Sequence, residues 1–212
     1  MESKYFSLED VSIGYNTKKP ILKNVNLTLK MGQMIAVIGS NGSGKTTLVK
    51  TIVGLIPQLS GLKQIPNETK MSLVPQIKDL KLGFPLTVEA ALNLSSGFKI
   101  FQSNKVAKEK FANEILERIG IHHYKNLLIR ECSGGQLQKY LIARSLISGS
   151  NCIFLDEPLD ALDEGSQKGI FYLLNDLSTK ENFSFFVITH HLAKDWLSNF
   201  SKIYQIRESE LV

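Results

Sequence analysis

The sequence predicts an α/β fold with an antiparallel β part near the N-terminus and a helical segment inserted into the core. Three observations predict it. Residues 33–38 form an apolar strand that enters a glycine-rich loop and emerges as a helical pattern at 48–55. Two further apolar strands follow much later, at 152–158 and 183–189. Ahead of the loop the chain alternates apolar and polar positions, whereas roughly 77–131 carries helical spacing.

Composition is consistent with this reading. Hydrophobic residues make up 43% and charged residues 21% of the 212, ordinary for a soluble globular chain long enough for a full core. One compact domain is expected, with 1–76 and 132–212 as the α/β core and 77–131 as a helical subdomain. The net charge of +5 is spread over Lys18, Lys19, Lys78, Lys81, Lys105, Lys108 and Lys110, with no dense basic block. A solvated surface accounts for that better than a patch for nucleic acid or anionic lipid. No apolar run approaches the ~20 residues that a membrane span needs. Met1-Glu2-Ser3-Lys4-Tyr5 has no apolar signal core, so a cytosolic setting is expected. Cys132 and Cys152 form no CxxC pair, which reads as two reduced thiols.

Taken in order, residues 5–15 alternate apolar and polar positions, with Phe6, Leu8, Val11 and Ile13 apolar, as an edge strand would, and 21–29 repeat the pattern. Tyr15 ends the first strand ahead of the polar turn 16–20; its ring either packs or stacks on a purine. The loop Gly39-Ser40-Asn41-Gly42-Ser43-Gly44-Lys45-Thr46-Thr47 matches G-x-x-x-x-G-K-[ST]. Glycines let backbone N–H groups curl round an anion, and the helix starting near Lys45 adds its positive end. Lys45 supplies a charge for the β- and γ-phosphates, and the Thr46 hydroxyl can ligate Mg²⁺. Strand, loop and helix in this order bind a nucleoside triphosphate.

Residues 57–67 read as irregular, and Met71-Ser72-Leu73-Val74-Pro75 as a short strand leading to Gln76. Helical patterns at 87–94 and 104–119 follow. Cys132-Ser133-Gly134-Gly135-Gln136-Leu137-Gln138-Lys139 then opens a helix running through Ile147. Ser133 is either a plain helix cap or part of a second anion-binding helix start. The strand 152–158 delivers Asp156 and Glu157 at its C-terminal end. One can hold Mg²⁺ while the other faces the attacking water. The strand 183–189 ends at His190-His191. Neighbouring strand residues point to opposite faces and no ligand partners lie at metal spacing, so a contact between one histidine and the γ-phosphate is the better reading. A short helix at Trp196 and a strand at 201–206 close the chain.

With these pieces placed, the chain resembles an ABC-type ATPase subunit along essentially its whole length. The resemblance rests on Tyr15, the loop 39–46, Gln76, the signature 132–136, the acids 156–157, Asp163 and His190, all in the family's order. It implies a phosphate-loop NTPase core of the ABC-ATPase type, with ATP and Mg²⁺ as cofactors. Tyr15 would stack on adenine, Lys45 and Thr46 would hold phosphates and Mg²⁺, and Asp156 would support Mg²⁺. Gln76 would reach Mg²⁺ and the lytic water, Glu157 would act as general base, and His190 would contact the γ-phosphate. Ser133, Gly134, Gly135 and Gln136 would meet the ATP of a second subunit, with Asp163 at the seam of a head-to-tail homodimer. Three positions depart from the family's pattern. Cys132 replaces the usual leucine, Lys139 a common arginine and His191 a common aspartate.

A finer resemblance, in Leu73-Val74-Pro75-Gln76, Gly83-Phe84-Pro85-Leu86-Thr87-Val88-Glu89 and Gly134-Gly135-Gln136-Leu137-Gln138, is to the zinc/manganese importer branch. It implies an ATPase on the cytoplasmic face of a membrane permease, served by a separate substrate-binding protein, with no nucleic acid involved. Leu80, Leu82, Phe84 and Leu86 would receive a short helix of that permease, or simply pack the insert. The chain stops soon after its last strand, where some importers carry a regulatory domain. Rival readings are an ABC transporter for another cargo such as an amino acid or lipid, a soluble ABC ATPase acting on DNA or ribosomes, and a pseudo-ATPase scaffold. The last is disfavoured by intact Lys45, Asp156 and Glu157.

Overall fold

A computed structural model of the chain describes residues 4–80, 85–95 and 105–212. Leu82 and Phe84, expected at a permease contact, lie outside these. Two compact units are present. The first comprises Met1–Leu73, Asn151–Glu157 and Asn175–Val212; the second comprises Val74–Ser150 and Pro158–Leu174. The second unit thus takes in more than the 77–131 segment.

The first unit opens with β1 (Lys4–Ile13) and β2 (Leu22–Lys30), followed by β3 (Met34–Ile38), helix α1 (Lys45–Ile52), β4 (Ser60–Gln64) and β5 (Met71–Val74). The chain returns to it with β6 (Cys152–Asp156), β7 (Ser184–Thr189), β8 (Lys202–Arg207) and β9 (Glu210–Leu211). One sheet is antiparallel in the order β2-β1-β4, and the other runs β5-β6-β7-β3-β8-β9. Within the second sheet, β6-β7, β7-β3 and β3-β8 are parallel. β6 and β7 are buried at every position, as strands covered on both faces must be.

Strict alternation would turn Val11 and Ile13 away from Phe6 and Leu8, but left-handed Asp10 (φ 51°) and Asn24 (φ 50°) and the register shift after Leu8 reset it. Phe6, Leu8, Val11, Ile13, Leu22, Val25, Leu27 and Leu29 therefore share one core with Phe154, Phe186 and Ile188. Phe6, Phe154 and Phe186 meet as a tilted triangle with centroids 5.3–6.0 Å apart, a spacing that suits aromatic pairs.

Residues 57–67 are not wholly irregular, as the sequence had suggested, because they contain β4. Its residues are mostly exposed and carry no apolar alternation, since it is an edge strand paired only with β1. The paired stretch includes Gly61 at φ 85°, and the β1 partner backbone bulges between Glu9 and Ser12.

In the second unit, α2 (Val88–Ser95) and α3 (Lys105–Ile119) both pack against α4 (Gly134–Ile147). Val88, Ala91, Leu92, Ile115, Ile119, Leu137 and Leu141 are buried. Helix α5 (Glu164–Glu181) begins here and runs on into the first unit. Motif reading passes over it, yet Ile170, Phe171, Leu173, Leu174 and Leu177 recur at helical spacing and are buried.

Candidate functional site

Three adjacent parallel strands build the site in the first unit. Register places Asp156 beside Ile188 and Ile38 beside Thr189. The C-terminal ends of β6, β7 and β3 therefore line one edge, where open α/β sheets place their ligands.

The loop leaving β3 is tight. A Cβ on Gly39 would lie 2.6 Å from Ser43 Oγ. Gly44 has φ 103°, and a Cβ there would lie 2.5 Å from Ile21 Cγ2, so only glycine fits. Helix α1 starts from Gly44 with no side-chain cap and no acid in its first turn. Its first amides and positive end are thus left to an anion. Ser43 Oγ is buried without a hydrogen-bond partner, a further polar atom in the same cradle. Ser40, Asn41 and Gly42 are exposed on the outer curve, and Thr47 is buried behind it.

The Lys45 side chain is buried, and Nζ donates to the carbonyls of Gly39 at 2.7 Å and Ser40 at 3.0 Å. Thr46 Oγ1 donates to Asp156 Oδ2 at 2.8 Å, with Asp156 only 2% exposed at the end of β6. A hydroxyl and a carboxylate meeting in this way are the hard oxygen donors that suit Mg²⁺. Glu157 follows in a left-handed backbone conformation, φ 49°, held by its N–H donating to Ile188 O at 2.9 Å. Such a conformation is costly for a non-glycine residue, and here it belongs to one of the two acids. Glu157 Oε1 lies 3.8 Å from Lys45 Nζ and 3.7 Å from His190 Nδ1. The His190 ring is half-exposed, and the turn after β7 is closed by Thr189 Oγ1 donating to His191 O and accepting from His191 N.

Tyr15, left between two readings by the sequence, is 72% exposed; its ring is not core. The turn after it is tied by Asn16, whose Oδ1 accepts from Lys18 N and whose carbonyl accepts from Lys19 N.

The remaining predicted residues belong to the second unit. Ser133 caps α4 in a capping box: Ser133 Oγ accepts from Gln136 N at 3.2 Å and Gln136 Oε1 accepts from Ser133 N at 2.9 Å. Gly134 begins the helix, and a Cβ on Gly135 would lie 3.1 Å from Ala161 O. Cys132 just before them is partly exposed, and burial together with neighbouring Glu131 pushes its thiol pKa up. Asp163 accepts from the Ser166 amide and hydroxyl at the start of α5, which holds its carboxyl below the usual range. Gln76 follows β5 in extended conformation. The structure thus brings Lys45, Thr46, Asp156, Glu157 and His190 together in the first unit.

A family model described as ABC transporter matches residues 22–160. The manganese transport ATP-binding protein MntB of Bacillus subtilis is 33% identical over 87% of this chain and 76% of its own length. The zinc import ATP-binding protein ZnuC of Wigglesworthia glossinidia brevipalpis is 35% identical over 88% of this chain and 76% of its own. The lipoprotein-releasing ATP-binding protein LolD of Francisella tularensis is 32% identical over 100% and 97%. Among solved structures, the dimeric bacterial ABC transporter cassette MJ0796 superposes with a TM-score of 0.81 at 26% identity, covering 97% of this chain and 96% of that one. The chain belongs to the ABC transporter family, as one of its ATP-hydrolysing subunits.

Proposed function

We propose that this subunit powers the import of a divalent metal such as zinc or manganese, working as a homodimer on the cytoplasmic face of a membrane permease. The metal reading is supported by relatives named for manganese and zinc transport at 33% and 35% identity. No described helix is long and apolar enough to cross a membrane, which fits a separate permease. A separate substrate-binding protein belongs to the same reading. LolD, matched along the whole chain, favours lipoprotein release as the second reading. Growth of a strain lacking this chain separates the two. Metal import requires a defect when zinc and manganese are scarce, relieved by adding either; lipoprotein release requires outer-envelope defects that metal does not relieve.

For the chemistry, the observation that carries the reading is Glu157 set between Lys45 and His190, one residue beyond the Thr46–Asp156 pair. Tyr15 stacks on adenine, and the amides of 39–47 with Lys45 hold the phosphates. Thr46 and Asp156 would hold Mg²⁺, which would supply positive charge to the β- and γ-phosphates, and Gln76 is the residue expected to reach it from the second unit. Glu157 takes the proton from water attacking in line, and His190 donates to the γ-phosphate. Ser133, Gly134, Gly135 and Gln136 meet the γ-phosphate of the other subunit, with Asp163 at that seam. Glu157→Gln keeps ATP binding and lowers turnover about 10²-fold or more. Wild-type steady-state hydrolysis in that variant removes Glu157 from the role of base.

A further inference from the structure

Ile21 is read by the sequence only as the start of a strand, yet its side chain occupies the space that a Cβ would need at Gly44 and borders that space at Gly14, two glycines that flank different parts of the site. Its Cγ2 lies 2.5 Å from where a Cβ on Gly44 would stand, next to Lys45. Its Cγ1 lies 3.5 Å from where a Cβ on Gly14 would stand, next to Tyr15. Gly14 and Gly44 have φ of 150° and 103°, conformations that favour glycine. Ile21 N donates to Ile13 O at 2.7 Å, which closes the base of the loop carrying Tyr15. Leu22, the next residue, is fully buried in the core and fixes the backbone behind it. Two heavy atoms on the Cβ of a β-branched residue restrict χ1, which limits where the two γ carbons can stand.

From this we infer that Ile21 is a positioning residue, a spacer that sets the separation between the Tyr15 ring and the phosphate loop and so matches the subunit to a nucleotide carrying both a base and a triphosphate. The inference rests on Tyr15 stacking on the base. Spacing of this kind matters only to a ligand that engages both ends. Tripolyphosphate, which has no base, engages the loop alone. The two ligands therefore separate a spacer from a residue that merely supports the fold.

The test is equilibrium binding of ATP and of tripolyphosphate, by calorimetry, to the wild-type subunit and to Ile21→Ala, Ile21→Leu, Ile21→Val and Tyr15→Ala. Ile21→Ala removes both γ carbons and weakens ATP roughly tenfold, the scale of one lost base stack, while tripolyphosphate binds within about twofold of wild type. Ile21→Val keeps both γ carbons and recovers most of the lost ATP affinity. Ile21→Leu conserves volume but not β-branching, and weakens ATP selectively; it serves in place of Ile21→Ala should that variant not fold. Equal weakening of both ligands, or of neither, overturns the proposal. If Tyr15→Ala leaves the preference for ATP intact, the stacking reading fails and the spacer with it. If Tyr15→Ala lowers that preference and the Ile21 variants do not, the spacer alone fails.

Discussion

Thr46 Oγ1 and Asp156 Oδ2 are hydrogen-bonded at 2.8 Å, although 110 positions separate the two residues in the chain. The contact exists because β6 and β3 flank β7 in one parallel register. Asp156 is 2% exposed, and on the proposed reading its carboxylate helps hold Mg²⁺. Asp156→Asn keeps the shape and removes the charge. Its Mg²⁺ requirement for half-maximal ATPase activity rises about 10-fold or more, read from a magnesium titration at saturating ATP. An unchanged titration curve assigns the ion to other groups.

The proposed head-to-tail homodimer makes a prediction about mixtures. Lys45→Ala disables the phosphate loop of its own chain, and Ser133→Arg blocks the helix start expected to serve the partner's ATP. Mixing the two variants leaves one productive site per heterodimer, so activity reappears from two inactive preparations. Activity of the wild-type subunit also rises faster than linearly with concentration at low dose. Strictly linear activity from a monomer, with light scattering as the gauge, contradicts this arrangement.

Gly61 tests the fold apart from the chemistry. It has φ 85°, and a Cβ there would lie 2.6 Å from Val11 Cα and from the Asp10 carbonyl carbon, both backbone. Gly61→Ala destabilises by about 2–4 kcal/mol through strain and overpacking. Urea unfolding shows the loss, while ATP affinity changes little because no candidate site residue lies on β4. A stable Gly61→Ala chain shows that the β1–β4 pair can shift to admit the methyl.

Cysteine chemistry gives a pH dependence. Burial and the nearby Glu131 raise the Cys132 pKa, and burial pushes Cys152 up to about 12. A raised pKa means less thiolate at a given pH, and the thiolate is the reactive form. Alkylation of Cys132 is therefore slower at pH 7.5 than for a free thiol, and its rate climbs through a range shifted to higher pH. Cys152, fully buried in β6, reacts only on unfolding. Fast labelling of Cys132 at neutral pH contradicts this environment.

Sequence reading recovers the parts of the site whose chemistry is local. The loop 39–47, with its strand and helix, is one contiguous stretch, and Asp156-Glu157 closes an apolar run that buries completely in β6. It is weaker where meaning depends on a distant partner. β4 shows no apolar alternation because its one neighbour is β1 and most of its residues face solvent. Tyr15 stays ambiguous in sequence because exposure, not residue type, decides whether a ring is core. The left-handed backbone of Glu157 carries no composition signal, and neither does Ile21, whose importance comes from two glycines far apart in the chain.

The pairing of β3 also bears on how the chain is made. β3 carries the phosphate loop, yet its hydrogen-bonded neighbours are β7 and β8, near the C-terminus. During synthesis the antiparallel partners β1, β2 and β4 emerge early and close together, but β3 waits with both edges bare until almost the whole chain has left the ribosome. Long-range parallel pairing is slow, and unpaired apolar edges aggregate. A product released before Thr189 therefore carries an intact phosphate-binding motif with nothing to hold it, and becomes a client of chaperones and proteases rather than a partially active ATPase.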